Sequence, residues 1–226
     1  MLQIITATGA RPEALALCHH WMRAQTYTGQ VLWLIVDDGP APSPIEKMPD
    51  NWRTVVIRPA PFWQPGQNTQ ARNLLRGIDA LDRKYPVVCF EDDDHYAPDW
   101  LDTVVRELDK AELVGECMAR YYNIETRIGR QLNNKQHASL CATAMRGSAI
   151  DSFHKACRSN EKFIDMTLWR SHKSKHLFGG HRVTGIKGLP GRGGIGMGHK
   201  KDFQGQRDPD GSLLRSWIGE DAERYL

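Results

Sequence analysis

Hydrophobic and polar positions alternate in blocks along the first half of the chain. Gln3-Ile4-Ile5-Thr6-Ala7-Thr8 predicts a first strand and Gly9-Ala10-Arg11 a turn. Pro12 and Glu13 suit the first turn of a helix, with Leu15, Cys18 and Met22 on one face. Val31 to Val36 is a nearly all-apolar second strand that runs into Asp37-Asp38-Gly39. Thr54 to Ile57 predicts a third strand. Asn68 or Thr69 can cap a helix carrying Ala71, Leu74, Leu75, Ile78 and Leu81 at helical spacing. Val87-Val88-Cys89-Phe90 is a fourth apolar run, and Pro98 opens a helix with Leu101, Val104, Val105 and Leu108 inward. Near-continuous apolar strands separated by helices predict an α/β fold with a mostly parallel sheet covered on both faces.

The second half is less regular. Leu113 to Tyr122 and Ala138 to Met145 read as strands and Asn160 to Trp169 as a helix. Gly179 to Gly198, with nine glycines, reads as loop. There is no repeat and no clear linker, so residues 1–226 are expected to form one domain.

The fourth run changes the picture, because it enters four consecutive acids, Glu91-Asp92-Asp93-Asp94. They fall at the carboxyl end of a strand, where open α/β sheets place ligand crevices. Two carboxylates about 4 Å apart repel by roughly 4 kcal/mol at an effective dielectric of 20. Such a cluster needs a cation or protons, and oxygen ligands beside a polyanionic substrate suit Mg²⁺ or Mn²⁺. The plainer alternative is a solvated acidic turn.

Composition narrows the classes. No apolar run approaches a membrane span, and Met1 to Ile5 lacks the basic region of a signal peptide. Five scattered cysteines without C-x-x-C fit a reducing compartment, so a cytoplasmic protein is expected. Net charge is +3 but divided: residues 1–113 carry 11 basic and 16 acidic side chains, residues 114–226 carry 19 and 11. No acid lies between Asp165 and Asp202, while Arg170, Lys173, Lys175, Arg182, Lys187, Arg192, Lys200 and Lys201 do. That run meets phosphate in some form or is a solvated face.

Single residues carry two readings each. A carboxylate in Asp37-Asp38-Gly39 can accept the imide N–H of a pyrimidine base, or it can build a turn. Arg72, near a helix N-terminus, can grip a diphosphate or lie on the surface. Asp165 stands alone in the apolar Phe163 to Trp169, where partial burial would raise its pKa toward that of a general base. His199 follows a glycine loop and can be a metal ligand or a surface histidine. His172 and His176 read as surface residues. Gly191, Gly193 and Gly196 spell G-x-G-x-x-G but do not open a first βαβ unit, which argues against dinucleotide binding. The loop's N–H groups can instead cradle phosphate.

In order and spacing these segments resemble family-2 glycosyltransferases of the GT-A fold. The matching pieces are Thr6 to Glu13, Val36 to Gly39, Ala71-Arg72-Asn73, Glu91 to Pro98, and Asp165 with Leu168 and Trp169. Two positions depart from the pattern: Ile164 replaces an acid, and Glu91 stands where Asp is common. The resemblance implies a metal-dependent, inverting transfer from a nucleotide-diphosphate sugar, UDP-sugar favoured, to a hydroxyl. Thr8, Arg11, Asp37, Asp38, Arg72 and Asp92 would bind the nucleotide sugar. Asp93, Glu91 and His199 would bind Mn²⁺ or Mg²⁺, and Asp165 would be the base. Residues 1–113 would hold the donor, and 114–226, with the basic glycine-rich loop, the acceptor. A glycan or small-molecule acceptor is favoured and a nucleic-acid acceptor is the alternative. The rival classes are a nucleotidyltransferase, which usually has a glycine-rich basic loop after its first strand, and a nucleic-acid-binding module.

Overall fold

A computed structural model describes residues 1–159, 162–194 and 196–226. Four parallel strands form the body of a seven-stranded sheet: β1 (Leu2–Thr8), β2 (Val31–Asp37), β3 (Trp52–Ile57) and β4 (Val87–Cys89). The acids lead into a short strand, β5 (His95–Tyr96). Beyond it come β6 (Leu113–Glu116), β7 (Arg120–Asn123), β8 (Ile128–Gln131), β9 (Thr143–Met145), β10 (Lys175–Phe178), β11 (Val183–Lys187) and β12 (Gln206–Arg207). The large sheet runs β10-β6-β9-β4-β1-β2-β3, with β9 reversed. A second sheet runs β12-β8-β7-β11-β5.

Helices α1 (Pro12–Arg23) and α3 (Trp100–Glu107) cover one face of the large sheet. Helices α2 (Gln70–Asp79), α4 (Ser148–Ser159) and α5 (Ile164–Ser171) cover the other. The period of two in the strands divides the core. Leu2, Ile4, Trp33, Ile35 and Val88 pack with Leu15, Met22, Trp100 and Val104. Ile5, Leu34, Val87 and Cys89 pack with Leu74, Ile78, Phe153 and Trp169. With both faces covered, the strands need no polar alternation. Near the C-terminus, α6 (Ser212–Ile218) is capped by Asp208, which accepts from the N–H groups of Leu213 and Leu214. Among the described residues no helix is long and apolar enough to cross a membrane.

The parallel register sets Thr8 opposite Asp37 and pairs Ile5 with Cys89. The carboxyl ends of β1, β2 and β4 therefore share one edge, and the site gathers there.

The second half departs from the pattern-based expectation. Leu113 to Tyr122 is two strands, because it leaves the large sheet at Glu116 and enters the small one at Arg120. Ala138 to Met145 begins as a turn of 3-10 helix over Leu140–Ala142. The predicted helix 160–169 starts at Ile164; its Asn160 and Glu161 lie outside the described residues. The expected glycine loop contains β11, a buried strand paired on both sides, whose flanking glycines masked it. His172 is buried, with Nδ1 3.0 Å from Ser152 Oγ and Nε2 3.4 Å from Glu112, a partner that distance along the chain had hidden.

Gly115 in β6 marks where α5 presses on the sheet. A Cβ there would stand 2.8 Å from Ala142 O and 2.8 Å from Trp169 Cζ2. Backbone oxygen and a buried indole have little room to yield. Gly115→Ala should cost about 1–3 kcal/mol, a fall in Tm of roughly 2–12 °C for a chain of this length. A thermal melt within a degree of the parent would refute this close approach.

Candidate active site

The turn after β1 aims Arg11 across the end of β4. Gly9 has φ +149, and Ala10 takes the left-handed region at φ 56. A side chain at Gly9 would also meet Gly39 N at 2.7 Å. Arg11 Nη1 donates to Asp92 Oδ1 at 3.0 Å and Nη2 to Asp93 Oδ2 at 2.7 Å. Thr8 Oγ1 donates to the other Asp92 oxygen at 2.6 Å.

Lys187, the last residue of β11, enters the same cluster from the small sheet. Its Nζ lies 2.7 Å from Asp94 Oδ1, 3.6 Å from Asp93 Oδ1 and 4.0 Å from Glu91 Oε2. Asp94 Oδ1 also accepts from Ile186 N at 2.9 Å. Gln70 Nε2 donates to Glu91 Oε1 at 3.0 Å. His199 Nε2 lies 3.6 Å from Asp93 Oδ2.

The acids differ in charge state. Burial works against the Asp93 carboxylate, but Lys187 and Arg11 outweigh it and hold the group well below the usual range. Burial raises Asp92 despite Arg11. Burial and the charge of Asp94 push Glu91 up to about 8, tempered by water because its side chain is 27% exposed. Burial pushes Asp94 up to about 6 in spite of Lys187. Burial and then Lys187 lower His199 to about 4, so its imidazole is neutral at physiological pH.

A cavity of about 630 Å³ opens over this cluster. Thr8, Arg11, Glu91, Asp92, Asp93, Asp165 and His199 line it, and Lys187 and Arg192 join them. Asp165 enters from the first turn of α5, behind Phe163, which holds the left-handed conformation at φ 57. The Asp165 carboxylate accepts from Met166 N at 2.9 Å, and burial raises its pKa.

Asp37, Asp38 and Arg72 are not among the lining residues. Asp37 builds the turn after β2: it accepts from Gly39 N at 2.9 Å, Ser43 N at 2.8 Å and Arg58 Nη1 at 2.7 Å. Asp38 is a hub, accepting from Thr69 Oγ1 at 2.5 Å, Arg72 Nη2 at 2.8 Å and Arg192 Nη1 at 2.9 Å. Arg192 crosses from the glycine loop and lies 4.9 Å over the Trp63 ring.

The sequence pattern had placed Lys187 and Arg192 only in a basic run. A usable signal was present for Lys187: Val183 to Lys187 ends on a polar residue as Val31 to Asp37 does, a strand end pointing at the same edge.

A divalent ion is the expected companion of such acids. Among the described residues, ligand atoms of Glu91, Asp94 and Cys141 lie within 4.8 Å of one another, a group able to hold a metal. Two observations weigh against Mn²⁺ or Mg²⁺ there. Burial keeps the Cys141 thiol protonated, a poor partner for hard cations. The Lys187 ammonium also occupies the hollow between Glu91, Asp93 and Asp94. A dication about 4 Å from it would meet a repulsion of roughly 8 kcal/mol at an effective dielectric of 20. In this arrangement the residues do not fit a dication beside Lys187.

The parallel sheet with one reversed strand, and the site at its carboxyl edge, define the GT-A class of fold. No family model matches this chain, and no curated protein sequence matches it. Particular solved structures share the fold. S. aureus TarS superimposes with a TM-score of 0.55 at 10% identity, covering 82% of this chain and 36% of that one. TarS 1-349 in complex with UDP-GlcNAc gives 0.55 at 10% identity, covering 85% of this chain and 60% of that one. The same fragment with UDP gives 0.53 at 8% identity, with 82% and 60% covered. The chain thus spans between 36% and 60% of the length of these structures.

Proposed function

We propose that the chain is a glycosyltransferase that moves a sugar from a nucleotide-diphosphate sugar, UDP-linked by preference, to an acceptor hydroxyl with inversion. The observation that carries this reading is a single cavity lined at one end by Arg11, Asp92 and Asp93 and elsewhere by the half-buried Asp165. The fold shared with a UDP-GlcNAc complex supports the donor class.

Thr8, Arg11 and Asp92 hold the nucleotide side of the donor. Asp165 takes the acceptor's proton as its oxygen bonds to the anomeric carbon. The bond from that carbon to the diphosphate breaks, and the electron pair leaves with the diphosphate. Residues 1–113 supply the nucleotide side of the donor site, and 114–226 supply Asp165 for the acceptor, within one unit. Asp38 reaches a base only if Arg192 gives way, since Arg192 holds one of its oxygens. The expected Mn²⁺ or Mg²⁺ on Asp93, Glu91 and His199 would have to displace Lys187. A thermal-shift panel of nucleotide sugars, with and without Mn²⁺, tests the reading: a ligand of the native state raises Tm by mass action. If no nucleotide sugar shifts Tm, the reading fails.

A glycan or small molecule is the acceptor this reading favours. A nucleic-acid acceptor would need several free cations at the cavity, and of the basic run only Lys187, Arg192 and Lys200 line it. Lys187 pairs with three acids and Arg192 with Asp38, and Arg182 pairs with Asp99 and Glu116, while Arg170, Lys173, Lys175 and Lys201 are exposed away from the cavity lining. A generic DNA duplex should therefore show no measurable binding at low salt. Each phosphate contacted on a duplex contributes a slope of about −0.9 in a log–log salt titration. Binding with a slope steeper than about −5 would reinstate the nucleic-acid acceptor.

A further inference from the structure

We infer that Lys187 is the built-in cation of this site, taking the leaving diphosphate where a carboxylate-bound dication would otherwise do so. The inference rests on the donor reading above. Lys187 ends a strand held between β5 and β7, so its stem is fixed at the root. Asp94 binds both the Ile186 N–H and the Lys187 ammonium, which locks strand end and charge together.

The glycine loop completes the seat. A Cβ at Gly198 would lie 2.9 Å from Lys187 Cγ, so glycine alone lets the loop lie along the stem. Asn123 Nδ2 holds that turn by donating to Gly198 O at 2.8 Å.

The ammonium is only partly spent. Asp94 takes one of its three N–H groups, while the nearest oxygens of Asp93 and Glu91 stand at 3.6 and 4.0 Å, beyond hydrogen-bonding distance. Lys187 also lines the cavity. With Arg11 it offers two fixed positive charges beside the place where the diphosphate must lie. During transfer the anomeric carbon gains the acceptor oxygen and loses the diphosphate oxygen. The departing electron pair meets the Lys187 N–H, and the acceptor's proton goes to Asp165.

The experiment measures binding of UDP, with GDP in parallel, by calorimetry in EDTA and in MnCl₂, together with Mn²⁺ bound to the protein by EPR. The parent should bind one of these diphosphates with affinity unchanged within about twofold by EDTA, and should hold no stoichiometric Mn²⁺. Lys187→Met should lose about tenfold to a hundredfold in EDTA, the range for a lost charge-assisted hydrogen bond. The freed acids should then take up Mn²⁺, while Lys187→Arg should keep most of the metal-free affinity. Diphosphate binding by the parent only with Mn²⁺ overturns the role of Lys187 and leaves the donor reading standing. No binding of either diphosphate under both conditions brings down the donor reading too. The parent's own EDTA and EPR results decide the matter if Lys187→Met fails to fold.

Discussion

Asp165→Asn should lower turnover by roughly 10²–10⁴-fold, the span a positioned general base contributes, while UDP affinity stays near the parent's. The amide keeps the shape but cannot take a proton. Burial raises the Asp165 carboxyl, so the parent's turnover should fall on acidification at a pH above the ordinary carboxylate range. The variant's residual rate should lack that limb. Stability should move in the opposite sense. A carboxyl whose folded pKa is raised contributes stability that is full below its unfolded pKa and lost as pH rises through the folded value. At neutral pH the parent bears that loss and the uncharged Asn does not. A melt no worse than the parent's, beside a collapsed turnover, is the expected pair of results. Loss of donor affinity with turnover per bound donor intact would move Asp165 off the acceptor side.

The first half of the fold was legible because its signals are local. Val31 to Val36 is apolar on both faces and ends in acids, which fixes a buried strand and where it stops. Pro12 needs no N–H partner in the first turn and marks the start of α1. The gathering of Thr8, Arg11, Asp92 and Asp93 follows from parallel pairing, because strand direction alone brings the carboxyl ends of β1 and β4 to one edge. What pairs with what was less legible. The sequence offered Asp37 as turn or base ligand, and in the fold its oxygens serve the turn and Arg58. It offered an acid cluster needing a cation, but the lysine in the cluster lies 93 residues from Asp94 along the chain. Glycines on both sides of Val183–Lys187 imitate a loop, and only pairing with β5 and β7 makes it a strand.

Arg11→Met should be among the most destabilising changes in the chain. The guanidinium spans Asp92 and Asp93 at 3.0 and 2.7 Å, with 12% of its side chain exposed against 2% and 4% for theirs. Screening by water is slight, so the surface value of an ion pair does not apply. Removing one member of a buried pair costs about 3–5 kcal/mol, because the remaining charge keeps its desolvation without its partner. At this chain length that is a fall in Tm of roughly 6–20 °C. The pH dependence identifies the cause. In the parent, Asp93 is held below its unfolded pKa, so its contribution is present above that pKa and lost as pH falls through the folded value. Without Arg11 that contribution shrinks, and Asp92, already raised by burial, rises further. The deficit should be largest near neutral pH and narrow toward pH 4, where the stranded acids take up protons. Arg11→Met combined with Asp92→Asn should recover part of the loss, since one stranded charge is gone. Urea midpoints at pH 7 and pH 4.5 measure both effects. A deficit under about 1 kcal/mol at pH 7, the scale of an exposed pair, would show that Arg11 does not hold the acidic cluster together.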